Sequence, residues 1–186
     1  MLFRSIDAGG ELEHYTADIT RTFPVGRKFS PAQARIYDLV LKSQKEAISL
    51  AKPGIDYTDL HTRVCEVITD GLLSLGCLKG DRKEIIKNMG FKRFFPHGTG
   101  HWLGIDVHDV GLYKVEDKPR VLKPGMVFTV EPGLYFQASD TEAPAEYREI
   151  GIRIEDDLLI TEGGNEVLTA GAPKDREEIE ALRDRV

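Results

Sequence analysis

The sequence is poor in the features that mark several classes of protein. Of its 186 residues only 2 are cysteine and 1 is tryptophan, and 25 basic residues face 31 acidic ones, giving a formal net charge of −6. So few cysteines argue against a disulfide scaffold. The acidic balance argues against a nucleic-acid partner, which needs a basic face. No apolar run approaches the roughly 18 residues of a membrane span.

What is present is the composition of an ordinary globular domain. Hydrophobic residues make up 41% of the chain and charged residues 30%, and the length suffices for one domain with a substantial core. Residues 1–7 are too short and too soon polar for a signal peptide. We therefore expect a cytoplasmic protein in which Cys65 and Cys77 are reduced, buried thiols.

Hydrophobic periodicity predicts strands toward both ends of the chain with helices between them. Ser30, Pro31 and Gln33 form a helix start with a capping box. Residues 151–155 alternate strictly, which places Ile152 and Ile154 on one face of a strand. The other predicted elements are strands at residues 2–7, 15–24 and 126–131, a hairpin over 158–169, and helices over 30–51, 58–75, 81–88 and 175–185.

The first two predicted strands carry an unusual pair of aspartates. If they form a hairpin that turns near Leu12 and Glu13, Asp7 lies directly opposite Asp18. Like charges opposite each other destabilise an antiparallel pair, so the pairing points to a cation between them. The alternative is two solvent-facing aspartates at strand ends, and the pairing alone does not decide between the two.

Three of the five histidines, His97, His101 and His108, fall within residues 96–111, a segment rich in glycine. The glycines disfavour a helix there, so the four-residue spacing of His97 and His101 is not that of a helical zinc protease. Glycine-flanked histidines are costly to keep for packing alone, which favours a chemical role for this segment.

A set of five side chains along the chain is suited to one metal centre: Asp7, Asp18, His101, Glu131 and Glu155. Oxygen-rich ligand sets suit hard divalent ions such as Mn²⁺, and four carboxylates at one point would repel one another without cations. Two ions that share bridging carboxylates would neutralise this charge and activate a water molecule. The set therefore predicts a dinuclear metallohydrolase.

Residues 97–111 resemble the histidine block of the proline-specific pita-bread metallopeptidases, aminopeptidase P and prolidase. Four more blocks resemble the family's other motifs in its order: residues 5–10, 15–23, 125–135 and 151–156. Trp102 and residues 147–153 favour bacterial aminopeptidase P. The resemblance implies an α+β pita-bread (creatinase/aminopeptidase-like) fold, in which a curved, mainly antiparallel sheet is covered by helices. Residues 1–186 are then a single, partial metallopeptidase catalytic domain.

The same resemblance implies the roles of the five ligands. Asp7 chelates one ion, Asp18 and Glu155 bridge both ions, and His101 and Glu131 complete the shell of the other. The expected cofactors are two Mn²⁺ ions, with Co²⁺ or Zn²⁺ as substitutes. A hydroxide that bridges the two ions attacks the carbonyl of the residue before proline, and Glu131 shuttles its proton.

Roles for the surrounding residues are implied as well. His108 hydrogen-bonds the substrate near the scissile bond, and His97 lines the proline side of the pocket together with Tyr135. Arg153 orients the metal-bound carboxylates. The substrate is a proline-containing peptide. His14 and His61 match no family role, and we predict that both lie on solvated faces.

The family's catalytic domain begins before the block at Asp7, so the fold is expected to be N-terminally truncated. An uncovered apolar sheet face should then be buried by something, either in a homo-oligomer or by association with a missing N-terminal segment. We also expect activity below that of a complete enzyme.

Two classes of function are compatible with this pattern. The first is a metal-dependent aminopeptidase that cleaves X-Pro bonds, with prolidase, which cleaves X-Pro dipeptides, as the second choice within that class. The other is a non-catalytic pita-bread binding module or remnant. A binding module is expected to lose metal ligands, and the retention of all five favours the enzyme.

Overall fold

The computed structural model describes residues 3–183 and has an α+β architecture of helices packed on antiparallel strands. The predicted strand that includes Leu2 and the predicted helix end near Arg185 reach outside the described residues. The helices are α1 Pro31–Leu50, α2 Tyr57–Ser74, α3 Arg82–Lys87 and α4 Arg176–Arg183, with short 3₁₀ turns at Gly90–Arg93 and Ala145–Tyr147. The strands are β1 Phe3–Ala8, β2 Glu11–Leu12, β3 Tyr15–Thr16, β4 Ile19–Pro24, β5 Lys114–Val115, β6 Lys118–Pro119, β7 Val127–Val130, β8 Gly133–Tyr135, β9 Gly151–Arg153, β10 Asp156–Ile160 and β11 Asn165–Val167.

Helix α1 begins as its sequence predicts. The Ser30 hydroxyl accepts a hydrogen bond from the Gln33 backbone N–H at 3.3 Å, and the Gln33 side chain accepts one from the Ser30 N–H at 2.8 Å. Pro31 occupies the first turn, where its missing N–H costs no hydrogen bond. The capping box is thereby confirmed.

The core lies between α1, α2 and one face of the strands. Ile152 and Ile154 are fully buried there, which confirms the alternation predicted for residues 151–155. Cys65 and Cys77 are free and buried, as predicted for reduced core thiols. The other fully buried apolar side chains from the two helices and the strands include Ile36, Val40, Val64, Ile68, Leu72, Phe128, Val130, Leu134 and Leu158.

The strand pairs are joined into one scaffold by hydrogen bonds between their ends. Strand β1 pairs with β4, β8 with β9, and β10 with both β7 and β11, all antiparallel. The Glu155 N–H donates to the Thr20 carbonyl at 3.1 Å, which links the start of β10 to β4. The chain around His101 runs beside β7, because the Thr129 N–H donates to the His101 carbonyl at 2.9 Å. Four distant segments therefore meet at one side of the sheet.

The predicted pairing of Asp7 with Asp18 is wrong by two residues. In the β1–β4 ladder Asp7 lies opposite Thr20, and Asp18 follows a break before β4 begins. The chain leaves the ladder at Gly9, where a Cβ would lie 1.7 Å from the Ala17 carbonyl oxygen. Asp18 is consequently a diagonal neighbour of Asp7 on the same face, a position from which side chains still interact.

The predicted turn near Leu12 and Glu13 is displaced by one residue. Strands β2 and β3 form a small separate hairpin whose turn residues are Glu13 and His14, with φ angles of 51° and 72°. Two left-handed residues in a two-residue loop match the twist of the flanking strands.

Strand β1 is poorly covered. The side chains from Arg4 to Ala8 are exposed, including Ile6, which is 48% exposed. Most of these side chains are polar, and the predicted burial of an uncovered apolar sheet face stays a prediction. Within residues 3–183, no helix has the combination of length and apolar character needed to span a membrane.

Candidate metal centre

Three side chains with metal-binding atoms converge at the meeting point of the strands. The ligand atoms of Asp18, His101 and Glu155 all lie within 4.8 Å of one another. His101 Nε2 is 3.4 Å from Asp18 Oδ2 and 4.0 Å from Glu155 Oε1. Glu131 Oε1 lies 3.7 Å from the same nitrogen. Four of the five predicted ligands are thus centred on one imidazole nitrogen.

The orientation of His101 is fixed by its neighbours. Its Nδ1 lies 3.1 Å from the Trp102 carbonyl oxygen, so this nitrogen donates to the carbonyl and Nε2 faces the carboxylates. Its backbone N–H donates to the Thr129 hydroxyl at 3.1 Å. A histidine that donates one ring N–H to a carbonyl while its other nitrogen is free is the usual arrangement of a metal ligand.

The backbone before His101 approaches β7 closely, and only glycine permits this. A Cβ on Gly100 would lie 1.8 Å from the Thr129 carbonyl oxygen. The residue before Gly100 is held close as well, because the Thr99 carbonyl accepts a hydrogen bond from the Glu131 N–H at 2.7 Å. Glycine at position 100 therefore serves to bring His101 and Glu131 to the same point.

The carboxylates of the cluster are buried and repel one another. Burial raises the pKa of Glu155 to about 8, with further contributions from Glu131 and Asp18 and an opposing one from the Thr20 hydroxyl, which donates to Glu155 Oε2 at 2.6 Å. Burial likewise raises the pKa of Glu131 to about 7. The pKa of Asp18 is raised by burial and by Asp7. A divalent cation would offset both the desolvation and the repulsion, so this oxygen-rich donor set fits such an ion.

Asp7 lies at the edge of the cluster. Its side chain is 52% exposed and forms an ion pair with Arg153 Nη2. The Asp7 and Asp18 carboxyl groups are close enough to hydrogen-bond. Asp7 is therefore beside the group formed by Asp18, His101 and Glu155, although it is not within it.

The sequence profile of Metallopeptidase family M24 matches residues 3–162 of this chain. The chain belongs to metallopeptidase family M24. Among curated relatives, the Xaa-Pro aminopeptidase of Escherichia coli is 55% identical over 177 residues, which cover 95% of this chain and 40% of that protein. The Xaa-Pro aminopeptidase of Haemophilus influenzae is 52% identical over 177 residues, covering 95% of this chain and 41% of that protein. This M24 chain thus spans about two-fifths of the length of these relatives.

Solved structures give the fold of the M24 chain. The structure of Pseudomonas aeruginosa aminopeptidase PepP superposes with a TM-score of 0.97 at 49% identity, over 98% of this chain and 41% of that one. A glutamate-to-alanine variant of Escherichia coli aminopeptidase P in complex with substrate superposes with a TM-score of 0.94 at 52% identity, over 98% of this chain and 41% of that one. The predicted α+β pita-bread fold is confirmed over the part of these structures that the chain spans.

A series of polar contacts extends from the candidate metal centre to the residues predicted to bind the substrate. His97 Nε2 lies 2.9 Å from the Tyr135 hydroxyl and its Nδ1 lies 2.7 Å from the Gly98 carbonyl, so Nδ1 carries the proton and Tyr135 donates to Nε2. Burial lowers the pKa of His97, which favours this neutral form. Arg153 Nη1 donates to the Tyr135 hydroxyl at 3.5 Å, while its Nε lies 3.9 Å from Glu131 Oε2.

His108 is exposed and close to the centre. Its ring centroid lies 4.2 Å from that of His101, with the two rings inclined at 66°. The structure therefore places all three histidines of the glycine-rich segment around one site.

The prediction that His61 lies on a solvated face is wrong. Its Nδ1 lies 2.8 Å from the Thr99 hydroxyl, and its ring packs 5.7 Å from that of Phe95. The sequence contains a pattern that predicts burial of His61. His61, Cys65 and Thr69 recur every four residues and form a polar edge on the buried side of α2. His14 is exposed in the β2–β3 turn, as predicted.

Proposed function

We propose that this chain is a metal-dependent Xaa-Pro aminopeptidase, which hydrolyses the peptide bond between an N-terminal residue and proline. The observation that carries the proposal is the convergence of Asp18, His101 and Glu155, with the free Nε2 of His101 facing the carboxylates. The names of relatives at 55% and 52% identity support the same activity.

The residues proposed to hold two divalent ions, with Mn²⁺ as the native ion, are Asp7, Asp18, His101, Glu131 and Glu155. Such ions, when bound, make water a nucleophile at neutral pH and polarise a scissile carbonyl. The absence of cysteine from this set favours a hard ion over a thiophilic one.

Glu131 is proposed to hold and transfer the proton of the attacking water. Its carboxyl group is 19% exposed and lies beside His101. A carboxylate at such a position can accept a proton from the nucleophile and return it to the leaving amine. Arg153, 3.9 Å from Glu131 Oε2, holds that carboxylate in place.

The substrate side is proposed to recognise proline through His97, His108 and Tyr135. An X-Pro bond is a tertiary amide with no N–H and a fixed ring, so its recognition depends on shape and on acceptor groups of the substrate. The exposed His108 is free to donate a hydrogen bond to the substrate near the scissile bond. The rings of His97 and Tyr135, 5.5 Å apart and inclined at 59°, offer two aromatic walls for the proline ring.

We further propose that residues 1–186 act as a single catalytic domain and that β1 is covered by association with a second polypeptide, such as another copy of the chain. The exposed Ile6 supports this. Light scattering after gel filtration tests it, and a monomer at micromolar concentration would contradict self-association.

The test of the proposed function combines metal content with turnover. The chain is stripped with a chelator and loaded with Mn²⁺, and the ions are counted. It is then assayed on an X-Pro-Y tripeptide and an X-Pro dipeptide. We expect two ions per chain and release of the N-terminal residue from the tripeptide. The matched control is His14→Ala, which replaces an exposed histidine in the β2–β3 turn.

Each other result contradicts a definite part of the proposal. Cleavage of the dipeptide alone would assign the chain to prolidase. Bound metal without cleavage of either peptide would contradict the activity and leave a metal-binding module. Failure to bind any divalent ion would contradict the metal centre itself.

A further inference from the structure

A second polar cluster lies behind the metal centre, on the helix side of the same strands. We name it the Asp156 network, and it consists of Arg21, Gln44, Asp156, Thr169 and Lys174. Asp156 and Gln44 are fully buried. The Asp156 carboxylate accepts hydrogen bonds from Arg21 Nη2 at 2.7 Å, Gln44 Nε2 at 3.0 Å and the Thr169 hydroxyl at 2.7 Å, and it pairs with Lys174 Nζ.

Arg21 uses all of its N–H donors in this network. Its Nη1 donates to the carbonyls of Thr20 at 3.0 Å and Glu155 at 2.6 Å. Its Nη2 and Nε donate to the carbonyls of Ala172 at 2.8 Å and Pro173 at 3.1 Å. A guanidinium offers five donors in a rigid fork. Here the guanidinium binds the backbone carbonyls of Glu155 and Thr20. Thr20 is also the residue whose hydroxyl donates to the Glu155 carboxylate.

Gln44 extends the same arrangement to the other glutamate. Its Nε2 lies 3.2 Å from the Val130 carbonyl and 3.3 Å from the Ile154 carbonyl. These residues directly precede Glu131 and Glu155. The Gln44 amide is oriented in turn by Lys174 Nζ, which donates to its Oε1 at 3.0 Å.

Three of these contacts bear directly on the proposed ligands. They reach the backbone carbonyls of Glu155, of Ile154 before it, and of Val130 before Glu131. None of the contacts of Arg21 or Gln44 reaches a ligand carboxylate. Alternate residues of a strand point to opposite faces. A hydrogen bond that fixes the strand backbone from one face therefore also fixes the position of the next side chain, which lies on the other face. We propose that Arg21 and Gln44, held by Asp156 and Lys174, are positioning residues that set the relative placement of Glu131 and Glu155.

This inference rests on the proposed metal centre and adds to it a segment that the family profile does not include. Lys174 and the carbonyl groups of Ala172 and Pro173, which accept hydrogen bonds from Arg21, lie after the matched region 3–162. Through Arg21 they are connected to Glu155. The centre therefore depends on a part of the chain that carries no ligand.

The test measures Mn²⁺ affinity and metal-free stability in the same variants of the full chain. Arg21→Lys keeps the positive charge on Asp156 and removes the fork. Gln44→Met keeps the side-chain size and removes the amide that binds Val130 and Ile154. The matched control, Arg82→Lys, alters an exposed arginine paired with Asp70. Calorimetric titration gives the dissociation constant, and thermal unfolding without metal gives the stability.

We expect both network variants to bind Mn²⁺ roughly 10- to 100-fold more weakly, the usual effect of changing residues that support metal ligands, and the control to bind as the unsubstituted chain does. If the variants lose stability but keep the affinity of the unsubstituted chain, the network is only structural and the inference is wrong. If Arg21→Lys does not fold, Gln44→Met decides, because it leaves the three charges in place. Absence of binding by the unsubstituted chain would instead overturn the proposed function.

Discussion

Glu155 and Asp156 are adjacent, both are buried, and they have opposite electrostatic surroundings. Glu155 points toward Asp18 and Glu131, and its pKa is raised to about 8, chiefly by burial. Asp156 points toward Lys174 and Arg21. Burial alone would raise its pKa, but the hydrogen bond from Lys174 and the charge of Arg21 outweigh it, and the pKa is lowered. The strand thus carries one carboxylate that the chain neutralises itself and one that is suited to an external cation.

The contrast shows that burial of a carboxylate does not by itself indicate a functional site. A buried ion pair that is fully hydrogen-bonded supports the structure, whereas buried carboxylates that face one another are costly and point to a bound ion. Substitutions around Glu155, on one face of the strand, and around Asp156, on the other face, should therefore alter different properties of the protein.

The largest effect on metal binding and activity is expected from a substitution of a proposed metal ligand on the Glu155 face. His101→Ala removes the only imidazole from the cluster, and we expect Mn²⁺ binding to weaken by more than about 100-fold, beyond the effect of a supporting residue, and peptide cleavage to be lost. Calorimetric titration and the tripeptide assay measure both. Retention of full affinity would show that the ions bind elsewhere, and His14→Ala is the control.

On the opposite face, Asp156→Asn should act mainly on stability. It leaves Arg21 and Lys174 without their buried counter-ion, and breaking a buried pair in this way costs about 3–5 kcal/mol. Urea denaturation at neutral pH measures the loss. Asp38→Asn removes one partner of the exposed pair with Arg176 and should cost at most about 1 kcal/mol. Equal losses in the two variants would contradict the distinction between the faces.

The two faces should also respond oppositely to pH. Glu155 has a folded-state pKa of about 8 against a reference of 4.5, so its protonated form stabilises the fold, and this contribution is lost as pH rises through about 8. Asp156, with a lowered pKa, stabilises the fold above its unfolded pKa and loses this contribution as pH falls.

Thermal unfolding of the chelator-treated protein between about pH 5 and pH 8 tests this difference. We expect Glu155→Gln to make the decline in stability with rising pH shallower without abolishing it, because the pKa values of Glu131 and Asp18 are raised as well. Glu166→Gln, at an exposed position, should leave the profile unchanged. A decline as steep in Glu155→Gln as in the unsubstituted chain would show that Glu155 does not contribute to it.

The smallest effect is expected from the hydroxyl that binds Asp156. Thr169→Val removes the hydroxyl that donates to Asp156 Oδ1 at 2.7 Å and accepts from the Asp157 N–H at 3.2 Å, and the loss should be about 1.5–3 kcal/mol, as for other hydrogen bonds to a charged group. Thr62→Val, which alters an exposed threonine on α2, is the control. Urea denaturation resolves the two. A loss as large as that of Asp156→Asn would show that the hydroxyl, and not the charges, holds the network together.

The sequence was sufficient for much of the fold, because local rules decide it. The capping box at Ser30 and the alternation of Ile152 and Ile154 depend on neighbouring residues only. The candidate ligand residues were recognisable because each lies in a distinctive motif. The register of β1 was not predictable in the same way, since it depends on where the chain leaves the ladder at Gly9.

The Asp156 network was missed for a related reason. Gln44 looks like an ordinary helix residue and Lys174 like an ordinary loop residue, and nothing local connects them across the 130 positions between them. His61 was misassigned because a lone histidine in a helix is more often solvated. Its Nε2 lies 3.4 Å from Cys65 Sγ on the same helix, but its contact with the Thr99 hydroxyl depends on how α2 packs.

The wide separation of the ligands along the chain has a consequence for folding kinetics. Asp7 and Glu155 come together only after β1, β4 and β10 have found one another, and closing such long loops is slow. The ligand cluster should therefore be among the last features to form. Mn²⁺ added during refolding is then expected to slow unfolding and to leave the early folding steps unchanged, because an ion that recognises only the finished cluster stabilises the product alone.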